Sequence, residues 1–122
     1  MLKSVEDINA FMEEVFTCIE NGDFQKAFSL VKTNTVIEST QIDMLYAQTE
    51  SQLNMLNKKY GRDNGFEQVG EMKLGNSLLK KVYIQKYNYI PLRWIFIFYN
   101  PGNGWKLIQF SFDEDYKELF KE

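Results

Sequence analysis

The sequence predicts an α+β fold: about three N-terminal helices packed on a curved four-stranded antiparallel sheet, with a short C-terminal helix. Three observations carry this. Apolar residues recur at helical spacing up to about Tyr60, and from Phe66 the period changes to two. Gly, Asn and Pro clusters divide the second half into strand-length pieces. The run 81–112 holds both tryptophans and most of the tyrosines, and reads as consecutive antiparallel strands.

Ser4 opens the first helix, with Asp7 three residues on in a capping-box pattern. Val5, Ile8, Phe11, Met12, Val15, Phe16 and Ile19 form its apolar stripe, and Asn21-Gly22 stops it. Cys18, beside the stripe, reads as a buried structural thiol, since no base accompanies it. Asp23 caps a second helix at once, with Phe24, Ala27, Phe28 and Val31 inward, so the two form a helical hairpin. Val36 and Ile37 suit a scrap of strand or a connector. Ser39 is the expected cap of a third helix reaching roughly Tyr60, with Gly61 ending it. The polar link 62–65 follows. Strands are expected at 66–74, 78–88, 92–99 and 105–112, with Pro91 marking a corner and 100–104 a hairpin. Asp113-Glu114-Asp115 caps a short terminal helix. No repeat or linker interrupts the chain, so residues 1–122 read as a single domain.

Pairing Tyr99 with Trp105 across the loop puts Leu92, Trp94, Phe96 and Phe98 on one face with Ile108, Phe110 and Phe112. That face belongs under the helices. The other face carries the five residues Ile95, Ile97, Tyr99, Trp105 and Leu107 among Arg93, Gln109 and Ser111, and is mixed but too apolar for water. Three helices and a short tail do not cover both sides of the sheet, so a homodimer packed sheet to sheet through these five residues is expected.

Composition excludes several function classes. A net charge of −3, with scattered Lys and Arg, offers no basic stripe for nucleic acid. No apolar run reaches the roughly 18 residues of a membrane-spanning helix, so no membrane partner is expected. The single cysteine makes the cytoplasm the default location, with the periplasm or export open if a signal peptide has been removed. The chain has no histidine, which excludes Ser–His, Cys–His and His-based metal sites.

Several residues invite chemistry, each with a plainer account beside it. Tyr83, Tyr87, Tyr89 and Tyr99 offer hydroxyls to an oxyanion, against simple β-propensity and packing. Glu67 and Glu71 alternate onto one face of the first strand, as an acid–base pair or as a solvated edge. Arg93 suits a ligand carboxylate, or a salt bridge at an interface or corner. Asp113, Glu114 and Asp115 suit a hard cation, or helix capping.

The run Trp94 to Tyr99, the hairpin Gly104-Trp105-Lys106 and the closing Phe110-Ser111-Phe112-Asp113 resemble small bacterial members of the nuclear transport factor 2-like superfamily, which includes SnoaL-like and ketosteroid isomerase-like families. The resemblance is strongest in the second half and rests on scaffold motifs. It implies a cone-shaped fold, a pocket between helices and sheet, and dimerisation through the outer sheet face. Residues 33–38 are too short for the hairpin that often supplies polar pocket residues there, so no catalytic residue is carried over. The resulting expectation is a non-catalytic dimeric binding or assembly module, with a small apolar ligand held near Trp94, Phe96, Phe110, Tyr83 and Tyr87. The alternative is a histidine-free isomerase, lyase or hydrolase using carboxylate and tyrosine. Neither reading calls for a metal or cofactor.

Overall fold

The computed structural model describes residues 2–121. Its helices are α1 (Val5–Glu20), α2 (Phe24–Thr33) and α3 (Ser39–Tyr60), and its strands are β1 (Asp63–Leu74), β2 (Leu78–Tyr87), β3 (Pro91–Tyr99) and β4 (Lys106–Asp113). A 3₁₀ turn, η1 (Tyr116–Phe120), ends the order. The strands lie in the order β1-β2-β3-β4, every neighbour antiparallel, in an open sheet.

Local chemistry sets the helix boundaries. The Asp7 amide donates to Ser4 Oγ, while Asp7 Oδ2 accepts from the Lys3 amide, so each end of the first turn satisfies the other. At the far end the Asp23 amide donates to the Cys18 carbonyl and the Gly22 amide to Ile19. This double bond needs the left-handed backbone that Gly22 adopts, at φ 77°. Asp23 then caps α2 through the Lys26 amide. The expected Ser39 cap is corrected: the cap position belongs to Glu38, which makes no side-chain capping bond, and Ser39 is the first helical residue.

All three helices cover one face of the sheet. Phe11 packs edge-on against Phe98, Phe16 against Tyr83, Trp94 and Phe96, and Phe28 against Phe110. Leu79, Leu92, Trp94, Phe96, Phe98 and Leu107 are all buried on this inner face. On the other side η1 lies against β3 near Arg93. The terminal segment is a single 3₁₀ turn rather than an α-helix, and its Phe120 is 86% exposed.

The sheet has three register shifts, one of them between Asp63 and Phe66, and the other two decide which of the candidate residues face inward. Phe98 pairs with Leu107 while Ile97 pairs with Gln109, leaving Ile108 as an extra residue in β4. An inserted residue reverses the alternation beyond it. Phe110 and Phe112 therefore face the helices as expected, opposite Phe96 and Trp94. Trp105 and Leu107 do too, at 5% and 0% exposure, which corrects their placement on the outer face. The Trp105 amide also donates to the Leu2 carbonyl, and the Leu107 amide to Asn34, so this end of β4 is tied down from its free edge.

The second bulge lies in β1, where Gln68 pairs with Tyr83 and Gly70 with Val82, skipping Val69. It sends Glu67 outward toward Lys86 and Glu71 inward onto Lys81. The two carboxylates expected on one face are on opposite faces. β1 also begins earlier than the polar link 62–65 suggests, because Asp63 pairs with Tyr87.

Candidate functional site

The inner face is packed rather than hollow at its centre. The Phe16 and Phe66 rings stack with centroids 3.9 Å apart, and Trp94 and Phe96 stack at 5.8 Å. Of the five residues expected to line a ligand pocket, Trp94 and Phe96 are sealed into this aromatic cluster, and Phe110 is half-buried beside Phe28 and Phe96. Tyr87 is buried at the end of β2, and Tyr83 alone of the five lines an open cleft described below. Tyr89 and Tyr99 point to solvent.

Two polar clusters interrupt the aromatic surface. In the first, the Trp94 indole donates to Gln85 Oε1 at 3.0 Å, and Gln85 Nε2 donates to Asp63 Oδ2 at 2.8 Å. Asp63 Oδ1 accepts from the Gly65 amide. This chain satisfies an indole and an amide that would otherwise be buried without partners, and it fixes the start of β1 on β2. In the second, Lys81 is fully buried, and its ammonium donates to Gln68 Oε1 at 2.8 Å and to Glu71 Oε1 at 2.9 Å. Lys81 was missed as a site residue. The signal was present: of the adjacent pair Lys80-Lys81 in a strand, alternation turns one inward.

Removing a partner from the second cluster has unequal costs. Glu71 is 39% exposed and reaches water without Lys81, whereas Lys81 has no such route. Lys81→Met is therefore expected to stay within about 1 kcal/mol of the parent, while Glu71→Ala costs about 1–3 kcal/mol by stranding a buried cation. Urea unfolding of both variants checks this, and the reverse ranking would refute it.

The two inward tyrosines are shifted in the same direction. Burial, and secondarily the Glu71 carboxylate, pushes Tyr83 well above the ordinary phenol value; burial and then Asp63 do the same to Tyr87. The Tyr87 hydroxyl is buried with no hydrogen-bond partner among the described residues. Each folded value lies above the unfolded one, so the stabilisation is complete below pH ~10 and is lost as pH rises above it. The expected loss is about 1.4 kcal/mol per pH unit for each tyrosine. Ultraviolet titration should show two of the seven tyrosines ionising only as the protein unfolds, and Tyr87→Phe should remove one of them. Seven independent titrations near pH ~10 would contradict this.

The other candidates are occupied locally. Arg93 holds its cross-strand partner Asp113 in a two-pronged bridge, Nε to Oδ1 at 2.9 Å and Nη2 to Oδ2 at 2.7 Å, and this holds the Asp113 carboxyl below the usual range. Asp113 Oδ1 also accepts from the Asp115 amide, and Glu114 accepts from the Tyr60 hydroxyl. No group of three or more potential metal-ligating residues occurs among the described residues. Glu71 is engaged by Lys81, and Asp63 by Gln85 and Gly65, so neither forms the carboxylate–tyrosine pair that acid–base chemistry would use.

An open cleft of about 330 Å³ lies between α1 and the β1–β2 side of the sheet, bounded by Glu13, Phe16, Glu20, Phe66, Gln68 and Tyr83. A second, of about 350 Å³, lies between Met55 and Leu56 of α3 and the end of the sheet at Leu92 and Phe112. On the outer face a groove of about 230 Å³ runs along Met72, Leu74, Leu78 and Ile97.

Comparison with protein-family models, curated proteins and solved structures finds no match to this chain. No described helix is long and apolar enough to cross a membrane.

Proposed function

We propose that this chain is a non-catalytic binding or assembly module, a member of the nuclear transport factor 2-like superfamily, that works as a homodimer through its outer sheet face. The observation that carries the dimer is the character of that face. Ile95 and Ile97 remain on it as expected, with Tyr99 at the end of the row. Val82 and Ile84 lie opposite Ile95 and Arg93, and Met72, Leu74 and Leu78 continue the apolar surface toward the β1–β2 turn. Ser111 and Gln109 occupy the neighbouring positions of β4 without adding charge. Glu67, Lys86 and Lys106 lie at its edges, while Lys80 stands within it between Met72 and Ile97. An apolar centre with a polar rim is the usual anatomy of a protein interface.

The size suits a second copy. Four strands of about nine residues span roughly 19 Å by 30 Å, or about 570 Å² per copy. A pair then buries about 1,100 Å², near the lower end for specific dimers. Sheets with inward apolar faces pack about 10 Å apart, which two such faces allow without moving the helices. The superfamily resemblance implies the same surface. Sedimentation equilibrium tests this: a dimer is expected at micromolar concentration, and a monomer at tens of micromolar overturns it.

A further inference from the structure

Beyond the dimer, and on the opposite side of the sheet, we propose that the cleft between α1 and β1–β2 binds an elongated aliphatic polyamine. The sequence favoured an apolar ligand, but the open cleft is acidic at its rim and aromatic within. Glu13 and Glu20 are exposed on α1, and neither joins an ion pair among the described residues. Seven residues apart on a helix, they stand about 10 Å apart along the axis, two turns on one side. The nearest buried cation, Lys81, is already held by Glu71 and Gln68.

The inner wall points to the same ligand. Tyr83 is only 7% exposed, lines the cleft, and has no hydrogen-bond partner for its hydroxyl among the described residues. Unlike the Tyr87 oxygen, the Tyr83 oxygen is not buried away from solvent. A neutral phenol accepts a hydrogen bond from an ammonium. The stacked Phe16 and Phe66 rings offer apolar surface to a methylene chain. Two carboxylates spaced along a wall that mixes Phe16 and Phe66 with the polar Asn9, Thr17 and Gln68, with the Tyr83 acceptor between wall and rim, match a chain carrying ammonium groups at both ends. A neutral or anionic ligand leaves both carboxylates unanswered.

The test is calorimetric titration of the full chain with spermidine, with 1,8-octanediol as the uncharged probe. Saturable binding of one spermidine per chain is expected, with none for the diol. Glu13→Gln and Glu20→Gln should each weaken it at least fivefold, and both together abolish it. These positions are exposed, so the fold is retained. Tyr83→Phe keeps the ring and should weaken binding severalfold. Binding should persist in a variant whose outer face no longer dimerises, which separates this site from the assembly surface. Absence of saturable spermidine binding, or equal binding by the double glutamine variant, overturns the proposal.

Discussion

Phe16→Ala is expected to cost about 3–5 kcal/mol of stability, the largest effect of any single substitution considered. Phe16 is 5% exposed and meets four rings: Phe66 at 3.9 Å, Tyr83 at 4.6 Å, Phe96 at 5.7 Å and Trp94 at 6.3 Å. It is the point where α1, β1, β2 and β3 meet. Truncation removes a large apolar surface and leaves a cavity whose aromatic walls are held by their own strands and relax little. Each ring pair adds about 0.5–1.5 kcal/mol beyond area burial. Domains of this size have about 5–15 kcal/mol in total, so the variant should unfold at markedly lower denaturant. The midpoint should fall with an unchanged slope. Phe120→Ala, at an exposed ring, should stay within about 0.5 kcal/mol. A loss below about 1 kcal/mol at Phe16 would mean that α1 is not anchored there.

Replacing Ile95 and Ile97 together by lysine is expected to convert the dimer to a monomer while leaving each chain folded. Both side chains point away from the helices and are only partly buried in the single chain, so a lysine there can extend its ammonium to water. In a sheet-to-sheet dimer the same positions lie at the centre of the buried patch. Ile97 faces Lys80 on the next strand, so a lysine there also adds like-charge repulsion. Four uncompensated ammonium groups at an interface weaken association by a hundredfold or more. Sedimentation equilibrium reads the mass, and far-ultraviolet circular dichroism checks the fold. Unchanged association in the variant would place the interface elsewhere.

Element order was legible because its signals are local. Ser4, Asp23 and Gly22 mark helix ends by hydrogen bonds to amides and carbonyls a few residues away, and these bonds form as read. Pro91 and Asn100 mark corners for equally local reasons: Pro91 opens β3, and Asn100 Oδ1 accepts from the Gly102 and Gly104 amides. The inner assignment of Leu92, Trp94, Phe96 and Phe98 followed from strict alternation within one unbroken strand.

Failures came where a partner strand intervenes. Ile108 and Val69 carry no mark distinguishing a bulged residue from a paired one, since the choice depends on what the neighbouring strand and the helices above can accept. Each bulge moved functional assignments: Trp105 and Leu107 left the outer surface for the core, and Glu67 parted from Glu71. The α1 cleft was invisible for a related reason. Glu13 and Glu20 look like ordinary solvated helix residues until Gln68 and Tyr83 are brought opposite them. By itself the sequence determined the helices, the strands and their order, and the absence of histidine chemistry, because capping, periodicity and composition act over a few residues. Only the tertiary structure decided which face each β4 residue occupies, that Lys81 is buried, and where an open cleft remains, because strand register and packing depend on residues far apart in the chain.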